Sequence, residues 1–143
     1  MIDNSTAPYA AFLLRVTSGV LLLAHGLMKV FIFTIPGTVG FFESLGFPGL
    51  FAYLTILAEV AGGAALILGV ATRPVAILTL PPLLGALYVH AANGWVFSNQ
   101  GGGWEFPLFW ALANVVIALL GGGAFALRLP VGEKLSQKLA WAQ

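Results

Sequence analysis

Four stretches of this sequence, Pro8 to Phe33, Leu50 to Ala71, Pro74 to Ala92 and Phe106 to Leu127, are almost wholly apolar, and each is close to the length that crosses a bilayer. About 20 helical residues span a ~30 Å hydrocarbon core. Backbone groups inside that core must be satisfied within the segment, and none of the runs alternates as a barrel strand would, so helices are the expected elements. The expected fold is all-α, a polytopic membrane four-helix bundle with residues 1–130 as one four-span domain. Composition agrees, with 59% hydrophobic and 8% charged residues and a mean hydropathy of +0.97. The first apolar run is too long for a signal-peptide core and follows no basic residue, so it reads as a retained span.

Four crossings place both termini on one side, together with the turn between the second and third spans. That side collects Arg73, Arg128, Lys134 and Lys138, which the positive-inside rule makes cytoplasmic. The other side receives Glu43, Glu105 and an aromatic set that includes Phe41, Trp95 and Trp104. In its first loop, Phe41, Phe42 and Leu45 can share one helical face, so a short interfacial helix or re-entrant lid is expected between Pro36 and Pro48. In its second loop, Gly101-Gly102-Gly103 has no side chains to hold it and should move unless clamped. Residues 131–143 read as a cytoplasmic amphipathic tail, with Leu135 and Leu139 four apart.

Against this apolar background the ionisable residues stand out. In the first span Arg15, Ser18, Leu22, His25 and Lys29 follow one another at three- or four-residue spacing, which puts them on one helical stripe. In the second, Thr55, Glu59, Gly62, Leu66 and Gly69 do the same. Ionisable side chains at such depth cost roughly 2.5 to 3.5 kcal/mol and usually face a bundle interior. Counted from the outer ends of their spans, His25 and Glu59 lie at matched depth, roughly 12 to 14 Å in. His90 near the outer end of span three and Glu105 at the start of span four complete an outer-half set of His25, Lys29, Glu59, His90 and Glu105. Arg15 belongs to the cytoplasmic half, where it would snorkel or pair alone, and Arg73 sits at the inner turn. Pro81-Pro82 interrupts span three and either kinks it or breaks it to line a cavity.

Several readings of the cluster stand together. In one it is structural: Lys29 and His25 neutralise Glu59, and His90 pairs with Glu105. In another it serves a lipophilic redox cofactor such as a quinone. There His25, Glu59 and His90 would supply hydrogen bonds and protons, and Trp104, Phe106 or Trp110 a ring wall. A metal held by His25, Glu59, His90 and Glu105 is a weaker reading, because no Glu-x-x-His or His-x-x-x-His pair is present. A proton or solute path is a fourth. The absence of cysteine excludes disulfides, thiolate metal sites and thiol chemistry, so any redox role needs a borrowed cofactor. A net charge of +1 gives no nucleic-acid surface. Small residues such as Ala58 with Gly62, and the run Gly121-Gly122-Gly123, suit helix association, so the expected partners are lipids with a homo-oligomer or membrane-complex subunits.

The ordered set Leu14-Arg15, His25-Gly26-Leu27-Met28-Lys29, Leu45-Gly46-Phe47-Pro48, Glu59-x-x-Gly62-Gly63, Gly69-Val70-Ala71-Thr72-Arg73 and Gly103-Trp104-Glu105-Phe106-Pro107 resembles the DoxX family from about Leu13 to Leu129. The combination is far more specific than any one motif. The resemblance implies a four-helix inner-membrane protein. It also implies kinship with small subunits associated with quinone-linked sulfur oxidation and membrane oxidoreductase complexes, so an accessory subunit is expected more than an independent enzyme. Arg15, His25, Lys29, Glu59, Arg73, His90 and Glu105 match the family's polar pattern. Pro81-Pro82 departs from it.

Overall fold

The computed structural model describes residues 3–127, and the tail expected at 131–143 lies outside them, as do Arg128, Lys134 and Lys138. Helix α1 (Ala7–Phe31) opens with Pro8 in its first turn, where the missing N–H costs nothing. A short helix α2 (Ile35–Ser44) fills the first loop and is followed by α3 (Leu50–Leu68). The third apolar run divides into α4 (Thr72–Leu78), α5 (Leu80–His90) and a 3-10 turn (Ala91–Asn93). Helix α6 (Glu105–Leu120) is the last element among the described residues. All regular elements among the described residues are helical.

Among the described residues, three helical segments, Ala7–Phe31, Leu50–Leu68 and Thr72–Asn93, are long and apolar enough to cross a membrane. The run expected to span from Phe106 to Leu127 is helical only to Leu120, so α6 has 16 residues. Gly121 and Gly123 adopt φ of +83° and +65°, a left-handed backbone that ends the helix and turns the chain back. The returning segment donates from Ala124 N–H to Pro8 O at 2.9 Å and from Leu127 N–H to Leu68 O at 3.1 Å. Large apolar side chains such as Phe31, Leu57 and Leu119 face outward, as expected where the surroundings are hydrocarbon.

Helices α1 and α3 form the tightest seam, because small residues meet there. A Cβ on Gly63 would lie 2.6 Å from Leu23 N and 2.7 Å from Gly19 O, and one on Gly26 would lie 2.7 Å from Val60 Cγ2. Neither helix can accept a methyl group at these points without moving apart. Helices α4 to α6 pack beside this pair around Leu22, Leu66, Ala76, Leu83, Trp110 and Ile117. Of the small residues expected to suit association, Gly62 and Gly123 meet neighbours within the chain. A Cβ on Gly62 would lie 2.6 Å from Thr79 Cγ2, and one on Gly123 would lie 2.5 Å from Pro8 O.

The bundle has two unlike ends. One carries Arg15, Arg73 and the segment after α6, and is called here the arginine end. The other, the loop end, carries α2 and residues 94–104.

Candidate functional site

At the arginine end, Arg15 is wholly buried, with 0% of its surface exposed. It does not snorkel; its guanidinium turns onto backbone carbonyls. Nη1 donates to Leu66 O and Ile67 O, Nε to Gly122 O at 2.9 Å and Nη2 to Ala124 O at 3.2 Å, with the charge 5.4 Å from the Phe12 ring. A helix leaves its last four carbonyls without internal partners. Here Gly69 and Val70 N–H take Ala65 O, Arg15 takes Leu66 O and Ile67 O, and Leu127 N–H takes Leu68 O. The C-terminus of α3 is fully satisfied, and the positive charge sits at the negative end of its dipole. Arg73 lies half-buried against the end of α6, where a Cβ on Gly121 would be 3.1 Å from its Nε.

Midway along the bundle a hydrogen-bond chain links three elements. Trp110 Nε1–H donates to Ser18 Oγ at 2.9 Å, Ser18 Oγ–H to Asn114 Oδ1, and Asn114 Nδ2–H to Thr79 Oγ1 at 2.8 Å. Thr79 stands at the break between α4 and α5 and returns its own hydroxyl proton to Ala76 O or Val75 O. Pro81 and Pro82 occupy the first turn of α5, so the run divides into two helices at Thr79, whose side chain is held by Asn114 of α6. Asn114 (0% exposed) and Thr79 were not among the sequence candidates, although an Asn inside an apolar helix is a signal of the same kind as Glu59.

Above that chain lies the ion pair. Lys29 Nζ donates to both carboxylate oxygens of Glu59 at 2.8 Å, and Glu59 is 6% exposed. His25 is within electrostatic reach of Glu59 and packs its ring edge-on against Trp110, with centroids 5.1 Å apart. Because Leu21 O can only accept, its 2.8 Å contact fixes the proton on His25 Nδ1 and leaves Nε2 as the basic nitrogen. Helix α2 closes over this region through Thr38, whose hydroxyl reaches Lys29 O at 3.0 Å.

His90 and Glu105 form a separate group in the second loop. His90 Nδ1 contacts Gly101 O at 2.9 Å and Gly102 O at 3.0 Å, and Asn93 Nδ2 donates to the same two carbonyls. The triple-glycine stretch is thus clamped from within the chain. Glu105 Oε1 accepts from Phe97 N–H at 2.8 Å and makes no ion pair with His90. Among the described residues no three His, Asp or Glu side chains gather as a metal site would require. The five outer-half residues therefore divide into a buried trio, His25, Lys29 and Glu59, and a loop pair, His90 and Glu105. Rings connect the two: Trp110 touches His25 and lies 5.5 Å from Phe106.

Beside the loop pair opens a groove of about 760 Å³, lined by His90, Trp95, Glu105, Phe106, Phe109 and Leu112 among others. Trp104 packs edge-on against Trp95 at 4.5 Å, and it is Trp95 that lines the groove.

The sequence profile of the DoxX family matches residues 10–92, more than half of the chain. A Bacillus subtilis (strain 168) protein named Putative oxidoreductase CatD is 32% identical over 124 residues, covering 87% of this chain and 88% of its own length. This chain belongs to the DoxX family. No solved structure matches it. The profile match takes in Arg15, His25, Lys29, Glu59, Arg73 and His90 and stops before Glu105, so the matched region contains the buried trio but, of the residues lining the groove, only His90. For a lipophilic carrier of the quinone kind, the groove fits in size and lining: small-molecule sites run to roughly 300–1,000 Å³ and are mostly apolar with a few placed polar groups. The buried trio does not line it.

Proposed function

We propose that this DoxX protein is a multi-pass inner-membrane subunit that supports a membrane redox assembly, with the polar groups of the loop end as its working region. Helix α6 is read as a fourth crossing, about 24 Å long at 1.5 Å per residue, which a locally thinned bilayer accommodates. Four crossings put Arg73 and both termini on the cytoplasmic side and the loop end outside. The observation that carries the reading is His25, held edge-on to Trp110 beside the buried Lys29–Glu59 pair. A titratable ring next to a charge pair inside a bundle suits proton exchange that accompanies electron transfer. The name of the Bacillus relative points the same way.

A quinone or similar lipophilic molecule is the proposed occupant of the groove, where it would supply the two-electron chemistry that a chain without cysteine cannot. His90 and Glu105 would orient its polar end, and Phe106 and Trp110 would join that end to the buried trio. Purification of the protein from its native membrane, with quinone extraction and identification of co-purifying subunits, tests the proposal. Recovery of quinone and a redox partner is expected. A clean monodisperse protein with neither, together with wild-type function in Glu59→Gln and His25→Ala, would overturn it.

A second reading, a purely structural assembly subunit, is favoured by the bidentate geometry of Lys29 on Glu59, which leaves neither carboxylate oxygen unpaired. Under that reading Lys29→Met with Glu59→Gln keeps both the partners and full activity of the assembly.

A further inference from the structure

The ring nitrogens and carboxylate oxygens of the groove are not equivalent, because the protein has already used half of them. The carbonyls of Gly101 and Gly102 both face His90 Nδ1 and can only accept, so the proton of the neutral ring resides there. His90 Nε2 is left with a lone pair. Glu105 Oε1 takes the Phe97 N–H, and an ionised carboxylate has no proton to give, so Oε2 is a second acceptor. Both residues line the groove. Lys29, the one side chain in the outer-half set that would donate to a carbonyl, is bound to Glu59 and does not line it.

Below this accepting rim the wall is apolar and aromatic. Phe106, Phe109 and Leu112 lie along the outward face of α6, and Phe109 is 69% exposed. A molecule could enter sideways from hydrocarbon, its tail along α6 and its head at the rim. Aromatic walls favour a ring-shaped head.

From this complementarity we infer that the groove selects the hydroxyl-bearing, reduced form of an aromatic amphiphile over its carbonyl-bearing oxidised form, with His90 Nε2 and Glu105 Oε2 as the accepting atoms. The inference rests on the reading of the loop end as a site for a lipophilic redox molecule and specifies which form it holds. A hydroxyl donates its one proton to either of these atoms and still accepts from a neutral donor. A carbonyl oxygen only accepts, so it would set lone pairs against lone pairs at both positions. Sites built around a hydrogen bond reject the analogue that cannot make it by large factors.

The test is calorimetric titration of decylhydroquinone and decylbenzoquinone, under anaerobic conditions, into nanodiscs that carry the full chain and into empty nanodiscs. Saturable binding of the reduced form, about tenfold or more tighter than the oxidised form, is expected. Glu105→Gln keeps an oxygen for the Phe97 N–H and adds an amide donor, so it should shrink that preference severalfold while the protein elutes as wild type. Phe109→Ala, on the exposed wall, should weaken both forms alike. Equal affinity for the two forms, an unchanged preference in Glu105→Gln, or no saturable binding would each overturn the inference. Recovery of a redox partner from native membranes would leave the broader function standing in those cases.

Discussion

The arginine end and the loop end are built from the same kinds of residue and treat their polar groups in opposite ways. At the arginine end the charged group is spent on the backbone: Arg15 reaches four carbonyls, and with Gly69, Val70 and Leu127 it completes the C-terminus of α3. At the loop end, His90 Nδ1 and Glu105 Oε1 hold the loop, and on the proposed reading their second atoms, Nε2 and Oε2, meet the ligand. A charge that is fully satisfied by main chain can only stabilise. A group satisfied on one side can stabilise and also bind. The difference separates Arg15, which the family's polar pattern groups with the site, from His90 and Glu105, which line the groove.

The largest effect that would break this contrast is at Arg15. Arg15→Ala strips hydrogen bonds from several buried carbonyls and should cost more than about 3 kcal/mol, seen as loss of folded protein or a lowered midpoint in detergent unfolding. Arg15→Lys, with a point charge in place of a fork, should recover only part of it. A stable, fully folded Arg15→Ala protein would show that the arginine end is not the anchor.

Next in size is the α1–α3 seam. Gly63→Ala places a methyl against Leu23 N and Gly19 O, where only backbone could yield, and should cost about 1–3 kcal/mol in the same assay. Glu59→Gln is expected to cost about 1–2 kcal/mol, discounted because Lys29 retains some access to solvent. Lys29→Met on that background should restore part of the loss, and strict additivity in the double-mutant cycle would mean the pair is not coupled.

The smallest effect on stability is expected at the loop end. His90→Ala removes one of two clamps on Gly101 and Gly102 and leaves Asn93 in place, so global stability should change by less than about 1 kcal/mol. Proteolysis of residues 94–104 should accelerate, because the local opening becomes easier. Equal losses in His90→Ala and Arg15→Ala would erase the distinction between the two ends.

How much of this could be read in the sequence differs by residue. The stripe from Arg15 through Ser18, Leu22 and His25 to Lys29 is visible as a periodicity, and burial of Arg15, Ser18 and Leu22 follows it. Matched depth in two antiparallel helices pairs His25 with Glu59, whereas the ion pair is made by Lys29, one helical turn nearer the loop end. The partners of Arg15 could not be read, because a backbone carbonyl has no side-chain signature and any residue type supplies one. The division of His90 and Glu105 from the buried trio was hidden for a related reason: depth along a helix says nothing about which side of a loop a side chain meets. The end of α6 at Leu120 was legible in principle, since three glycines interrupt an apolar run that hydropathy alone counts as continuous. Asn114 was overlooked because it carries no charge, although burial makes an amide as demanding of partners as an ion.

The closure of α3 also has an order in time. Residues 7–68 can pair α1 with α3 as soon as both helices exist, yet two of the acceptors of Arg15 and the donor to Leu68 O belong to residues 122–127, which leave the ribosome only after α6. Until they arrive, the guanidinium is short of partners and the end of α3 is open. Arg15 thus reports whether the segment after α6 has docked, and a chain halted after Leu120 would carry the defect at its opposite end, near residue 15.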